Sequence, residues 1–134
     1  MAAQGKCLCG QVTYRLDTEP SFSGVCHCKS CQLQTGSAFS TLVGIPAAAL
    51  QIQGTLTCYE DTSSESGNGV DRYFCGLCGS PIYSSLRANR DMVYIKSGTL
   101  DDSSDFQPQA HFWCDSKQSW VILNDAVPTL ARQP

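Results

Sequence analysis

The sequence has no stretch approaching the ~20 apolar residues that span a bilayer, which argues against a membrane helix. Its opening, MAAQGKCLCGQ, lacks the charged-then-apolar order of a secretory leader, so a cytoplasmic protein is expected. Basic runs are absent too. Nine lysines and arginines are scattered along the chain against twelve acids, leaving a net charge of -3. That balance offers no electrostatic footprint to nucleic acid or to an anionic membrane surface, and neither is expected as a partner. There is no internal repeat and no low-complexity linker, and charged residues reach only 16%. With 42% hydrophobic residues over 134 positions, the composition predicts one folded domain, residues 1–134, rather than a disordered chain.

What the chain does have is cysteine. In a reducing compartment nine of them point to metal ligation rather than disulfides, and an odd number would leave one thiol unpaired. Seven fall into three clusters: Cys7-Leu8-Cys9, Cys26-His27-Cys28-Lys29-Ser30-Cys31, and Cys75-Gly76-Leu77-Cys78-Gly79. Zinc requires thiolates converging at about 2.3 Å in a tetrahedron. A Cys-x-x-Cys pair can turn back onto one ion, and Gly76 and Gly79 are expected to supply the positive-φ backbone for that turn. Four thiolates saturate a structural zinc, whereas three leave a position open for water or substrate. The economical division of seven is one closed site, Cys7 and Cys9 with Cys75 and Cys78, and one open site, Cys26, Cys28 and Cys31. Spacing alone leaves other pairings open.

The rest of the chain reads as strand. Polar–apolar alternation marks residues 11–16 and 38–45, with further β-rich runs at 50–53, 56–59, 70–74, 81–86, 92–96, 110–114 and 119–123. Helical signals are confined to single turns at 30–35, closed by Gly36, and at 47–50 after Pro46. The Ser/Gly-rich segment from Thr62 to Asp71 reads as an exposed loop between strands. The expected fold class is all-β, built from several small antiparallel sheets.

Other residues carry two readings each. His27 either supports a ligand from behind or faces solvent or a hydrogen-bond partner. His111 is a candidate proton shuttle or substrate contact, against the plainer reading of a strand histidine satisfied in place. Lys117 can meet a substrate carboxylate or lie exposed in a turn; Asp101 and Asp102 resemble paired acids or a turn. Trp113 and Trp120 are read as core first and pocket wall second, and Cys58 and Cys114 as inert core.

With those residues in view, the chain resembles the glutathione-dependent formaldehyde-activating enzyme (GFA) family, which includes centromere protein V. The resemblance runs from Gly5 to about Pro128. It rests on Cys7-Leu8-Cys9-Gly10, on CHCKSC at 26–31 followed by Gly36, and on FCGLCGSPIY at 74–83. SGTLDD at 97–102 and HFWCDSKQSW at 111–120 add to it. It implies a β-tent of coiled antiparallel sheets clamped by zinc. It also implies a structural zinc on Cys7, Cys9, Cys75 and Cys78 and a catalytic zinc on Cys26, Cys28 and Cys31. The implied activity is that of a carbon–sulfur lyase resembling S-(hydroxymethyl)glutathione synthase. Its partner is a small-molecule thiol or aldehyde such as glutathione or formaldehyde. The chain is shorter than the founding enzyme, which leaves the glutathione-binding surface in question. The alternative is a non-catalytic zinc-binding protein-interaction module; a redox role for Cys75 and Cys78 would need a βαβ setting that the pattern does not supply. Exposed strand edges leave a homodimer open as an expectation.

Overall fold

Alternation along the strands decides the architecture. The computed structural model describes residues 3–63 and 67–133. In β2 (Thr13–Leu16), Tyr14 and Leu16 are buried while Thr13 and Arg15 face outward. β2 lies between β1 (Gln4–Lys6) and β5 (Leu50–Gln53) in a three-stranded antiparallel sheet. The remaining strands are β3 (Phe22–Cys26), β4 (Ser40–Pro46), β6 (Leu56–Asp61), β7 (Val70–Cys75), β8 (Pro81–Leu86), β9 (Asn89–Lys96) and β10 (Ala110–Phe112). They form a seven-stranded sheet in the order β10-β3-β4-β9-β8-β7-β6. Its pairs are antiparallel except β3–β10, which run parallel. The all-β expectation holds, with one short helix, α1 (Lys29–Thr35), closed by Gly36 in the left-handed conformation at φ 66°.

The two faces of the large sheet do different jobs, because side chains alternate across a strand. One face sends Val43, Ile45, Val93 and Ile95 against Val12, Tyr14 and Leu16 of the small sheet to make the main core. Full burial of each such aliphatic side chain is worth roughly 1.5–3 kcal/mol. On the opposite face, register aligns Phe22 with Gly44, Tyr94, Ser84 and Arg72 across five strands. The next row aligns Gly24 with Leu42 and Lys96. A Cβ on Gly24 would lie 2.5 Å from Phe22 Cζ and 3.1 Å from Phe112 Cε2, so glycine here leaves room for both rings over the strand.

Two buried acids organise the far end of this sheet. Arg72 Nε donates to Asp61 Oδ2 at 3.0 Å, both side chains being 7% exposed. Asp71 takes Arg87 at 3.1 Å and Arg90 at 2.9 Å.

Several expectations need correcting. Ser119–Leu123 is not a strand. The free edge of β10 is taken instead by the segment after it, through His111 N–H to Pro128 O and Leu130 N–H to His111 O. Lys117 Nζ gathers the Gln118 and Val121 carbonyls at 3.2 and 2.7 Å, folding 117–121 into a turn. Trp120 consequently sits 69% exposed rather than in the core. Cys58 is exposed on the edge strand β6 and Cys114 is half-buried, so neither is a core residue. β1 and β3 were not anticipated, and the strand expected at 110–114 stops at Phe112. Of the loop expected from Thr62 to Asp71, residues 64–66 lie outside the described residues, while Val70 and Asp71 already belong to β7. No helix among the described residues is long and apolar enough to cross a membrane.

Candidate metal centres and the cavity beside them

Two turns bring the first thiol group together. Cys7 ends the chain's exit from β1, and Gly10, at φ 83°, closes a turn in which its N–H donates to Cys7 O at 3.1 Å. The second turn leaves β7 at Cys75 and closes with the Gly79 N–H on Cys75 O at 2.8 Å, with Gly79 at φ 81°. Gly76 has no positive φ, contrary to expectation; a Cβ there would instead lie 2.6 Å from Thr57 Oγ1. The Sγ atoms of Cys7, Cys9, Cys75 and Cys78 all fall within 4.8 Å of one another. Cys7–Cys9 is 3.6 Å and Cys9–Cys75 is 3.8 Å. These separations are far beyond a disulfide's ~2.05 Å. They match the ~3.8 Å edge of a tetrahedron of sulfurs placed 2.3 Å from a central ion. Backbone and side-chain donors surround the group: Val12 N–H reaches Cys7 Sγ at 3.3 Å and Gln11 Nε2 reaches Cys75 Sγ at 3.2 Å. Ser80 Oγ, 3.2 Å from Cys78 Sγ, also accepts the Leu8 N–H at 3.0 Å and so joins the two turns. That hydroxyl, with the Ser80 backbone, draws the Cys78 thiol down to about 5.

The second group, Cys26, Cys28 and Cys31, lies where β3 passes into α1, again within 4.8 Å. Cys28 is the helix N-cap, its Sγ accepting the Cys31 N–H at 3.3 Å. Hydrogen bonds from Cys26 and then Cys28 hold the Cys31 thiol down to about 3, and the charges of Lys96 and Arg72 add to this. Cys26 is pushed up by its bonds to Cys28 and Cys31. Among the described residues no fourth histidine, cysteine or acid joins this group.

His27 turns away from the sulfurs. It is fully buried, with Nε2 3.0 Å from His111 Nδ1. Burial, then His111 and Lys117, lower His27 to about 4, and burial lowers His111, so both are neutral at pH 7. Gln32 ties α1 to the turn at 114–116, its Nε2 donating to His27 O at 2.9 Å and Ser116 O at 3.0 Å. Asp102 caps a turn, accepting from Ser104 N and Oγ at 2.9 and 2.6 Å, which favours the turn over the paired-acid reading. Trp113 packs on Cys28 and Cys31 in a left-handed conformation, φ 57°. Such a backbone costs of order 1–3 kcal/mol for a bulky residue. Its indole N–H donates to Gln133 Oε1 at 3.3 Å and Arg132 stacks over the ring at 5.3 Å, which hold it there.

A cavity of about 440 Å³ opens beside the three sulfurs, on the sheet face that carries Phe22, Leu42, Tyr94 and Lys96. Trp113, expected as core first and pocket wall second, is both buried and at the wall, and sequence reasoning missed Lys96 and Arg72. Their parity was a usable signal, since Lys96 shares a face with Tyr94 two residues earlier on β9.

The fold and its thiol groups define a mostly β domain with two cysteine clusters able to hold metal ions. A family profile described as glutathione-dependent formaldehyde-activating enzyme matches residues 2–116. The chain belongs to that family. It is also similar to a solved structure of a Rhodobacter sphaeroides protein, at 18% identity and a TM-score of 0.59. That match covers 95% of this chain and 99% of the other, and shows a shared fold. No curated protein matches the sequence.

Proposed function

We propose that the chain is a zinc-dependent, carbon–sulfur lyase-like enzyme acting on thiol–aldehyde adducts, as S-(hydroxymethyl)glutathione synthase does. Cys7, Cys9, Cys75 and Cys78 would hold a structural zinc, and Cys26, Cys28 and Cys31 a catalytic one. The observation that carries this reading is the inequality of the two groups: four converging sulfurs in one, and three beside a cavity in the other. The donor set fits the metal, being soft thiols unbridged at 3.6 and 3.8 Å in the four-sulfur group. Zinc bound by three thiolates supplies Lewis acidity to a carbonyl oxygen or binds a thiol as its thiolate.

The chain's own residues supply position and dryness. Trp113 and Phe112 pack over the sulfurs, and the Cys31 N–H fixes Cys28. In the addition, a thiol sulfur forms the C–S bond as the carbonyl π pair moves to oxygen, which gains the thiol's proton; the lyase direction reverses this. Holding the partners in register accounts for much of the acceleration such a step needs. The substrates are small cytoplasmic thiols and aldehydes, glutathione and formaldehyde among them.

Cys28→Ser tests the reading. The variant keeps its melting curve and its first metal, and loses the second metal together with turnover of glutathione and formaldehyde. Undiminished turnover would refute it. A mild chelator separates the enzyme from a non-catalytic module: the enzyme loses one ion and its activity while folded, whereas a scaffold unfolds.

A further inference from the structure

The cavity beside Cys26, Cys28 and Cys31 is much larger than a one-carbon aldehyde needs, and its surface is specific. Ligand pockets begin at about 300 Å³, and this one holds about 440 Å³. Four aromatic side chains line it: Phe22, Tyr94, Phe112 and Trp113. Phe22 meets Tyr94 edge-on at 6.2 Å and Phe112 at 5.7 Å, so this wall is preassembled. Leu42, Val70 and Leu86 add an aliphatic side. None of the described residues lining it is acidic.

The two cations are not equivalent. Arg72 is committed to Asp61. Lys96 is 7% exposed, and no carboxylate pairs with it among the described residues. Its Nζ donates to Ser40 Oγ at 2.7 Å, the one hydrogen bond it makes among those residues. An ammonium has three donors, so two remain for oxygen atoms in the cavity. Ser40 is the cross-strand partner of Cys26, which places the Lys96 ammonium at the sulfur end of the cavity.

Resting on the enzymatic reading above, we propose that the cavity seats an aldehyde with an aryl or branched-alkyl body, or its thiol adduct, with Lys96 Nζ donating to the carbonyl oxygen. As the C–S bond forms, the π pair becomes charge on that oxygen opposite the ammonium, and the thiol's proton neutralises it. The reverse step releases aldehyde and thiol.

The test uses zinc-loaded full-length protein, 2-mercaptoethanol as thiol, and benzaldehyde, isobutyraldehyde or formaldehyde, with adduct exchange followed by NMR. Benzaldehyde and isobutyraldehyde are expected to exceed formaldehyde in kcat/KM by at least about tenfold. Lys96→Met is expected to lose about 100-fold in kcat, the scale of one oxyanion donor. Metal content and benzaldehyde binding, read by saturation-transfer NMR, should persist. Leu86→Asp, at a half-exposed position, is expected to lose benzaldehyde binding while its metal content persists. Turnover of formaldehyde alone, or a Leu86→Asp variant that binds benzaldehyde like wild type, overturns the substrate assignment and leaves the enzymatic reading standing. Full activity of Lys96→Met overturns the role of Lys96. No acceleration with any aldehyde overturns the enzymatic reading itself.

Discussion

Replacing Asp61 by alanine strands a cation inside the protein. Arg72 Nε lies 3.0 Å from Asp61 Oδ2, with both side chains 7% exposed, and no other acid pairs with Arg72 among the described residues. The same carboxylate accepts from Ser63 N at 3.0 Å and Ser63 Oγ at 2.9 Å, so its loss also frees the chain after β6. Breaking a buried pair from one side costs about 3–5 kcal/mol, because the remaining charge stays desolvated. Against a total stability of about 5–15 kcal/mol this is a large fraction. At about 3 °C per kcal/mol for a chain of this length, the midpoint should fall by about 10–15 °C. Burial pushes the Asp61 carboxyl up, yet the Ser63 and Arg72 donors outweigh it and the net shift is downward. A carboxyl lowered on folding contributes its full stability above the unfolded value of about 3.9. That contribution is lost as pH falls through the folded value. The gap between wild type and Asp61→Ala, read by urea denaturation, should therefore be constant from pH 5 to 7 and narrow below pH 4. The paired change Asp61→Leu with Arg72→Met should recover at least half of the loss. A single variant melting within about 2 °C of wild type, or a gap that widens in acid, would refute the reasoning.

Other outcomes follow from the same coordinates. Ser80→Ala removes the hydroxyl that links Leu8 to Cys78 and should weaken metal binding at the four-sulfur group by about 10–100-fold, read by chelator competition, without changing the three-sulfur group. Ile95→Ala, at a fully buried position in the main core, should cost about 2–5 kcal/mol in denaturant unfolding. Trp120→Ser should shift stability by no more than about 0.5 kcal/mol, because that indole is 69% exposed; a larger loss would mean that the ring is packed.

The limits of legibility fall along strand faces. β5 and β8 have the bounds their patterns predict, and the turns at 30–35 and 47–50 appear as α1 and as a 3₁₀ turn at Ala47–Ala49. β3 is hidden in the sequence because Phe-Ser-Gly-Val-Cys carries glycine where two aromatic rings crowd the strand, and glycine reads as a break. Ser119–Leu123 looked like a strand on local propensity, and a later segment had already occupied the edge it would have joined. Cys58 illustrates a related gap: composition cannot say which side of an edge strand is covered. The seven thiols meet in the two groups that counting paired, since a tetrahedron's appetite for four sulfurs is a local rule. Lys96 and Arg72 come to the cavity through cross-strand register, which single-strand patterns do not encode.

The parallel pairing of β10 with β3 sets an order of assembly. The four-sulfur group joins residues 7 and 78, so ribosomal synthesis can complete it before β9 and β10 have emerged. Cys26, Cys28 and Cys31 are made much earlier than Trp113, and Trp113 is in turn held by Arg132 and Gln133. A nascent chain thus leaves these three thiols uncovered until residues 128–133, about a hundred positions later, strap down β10.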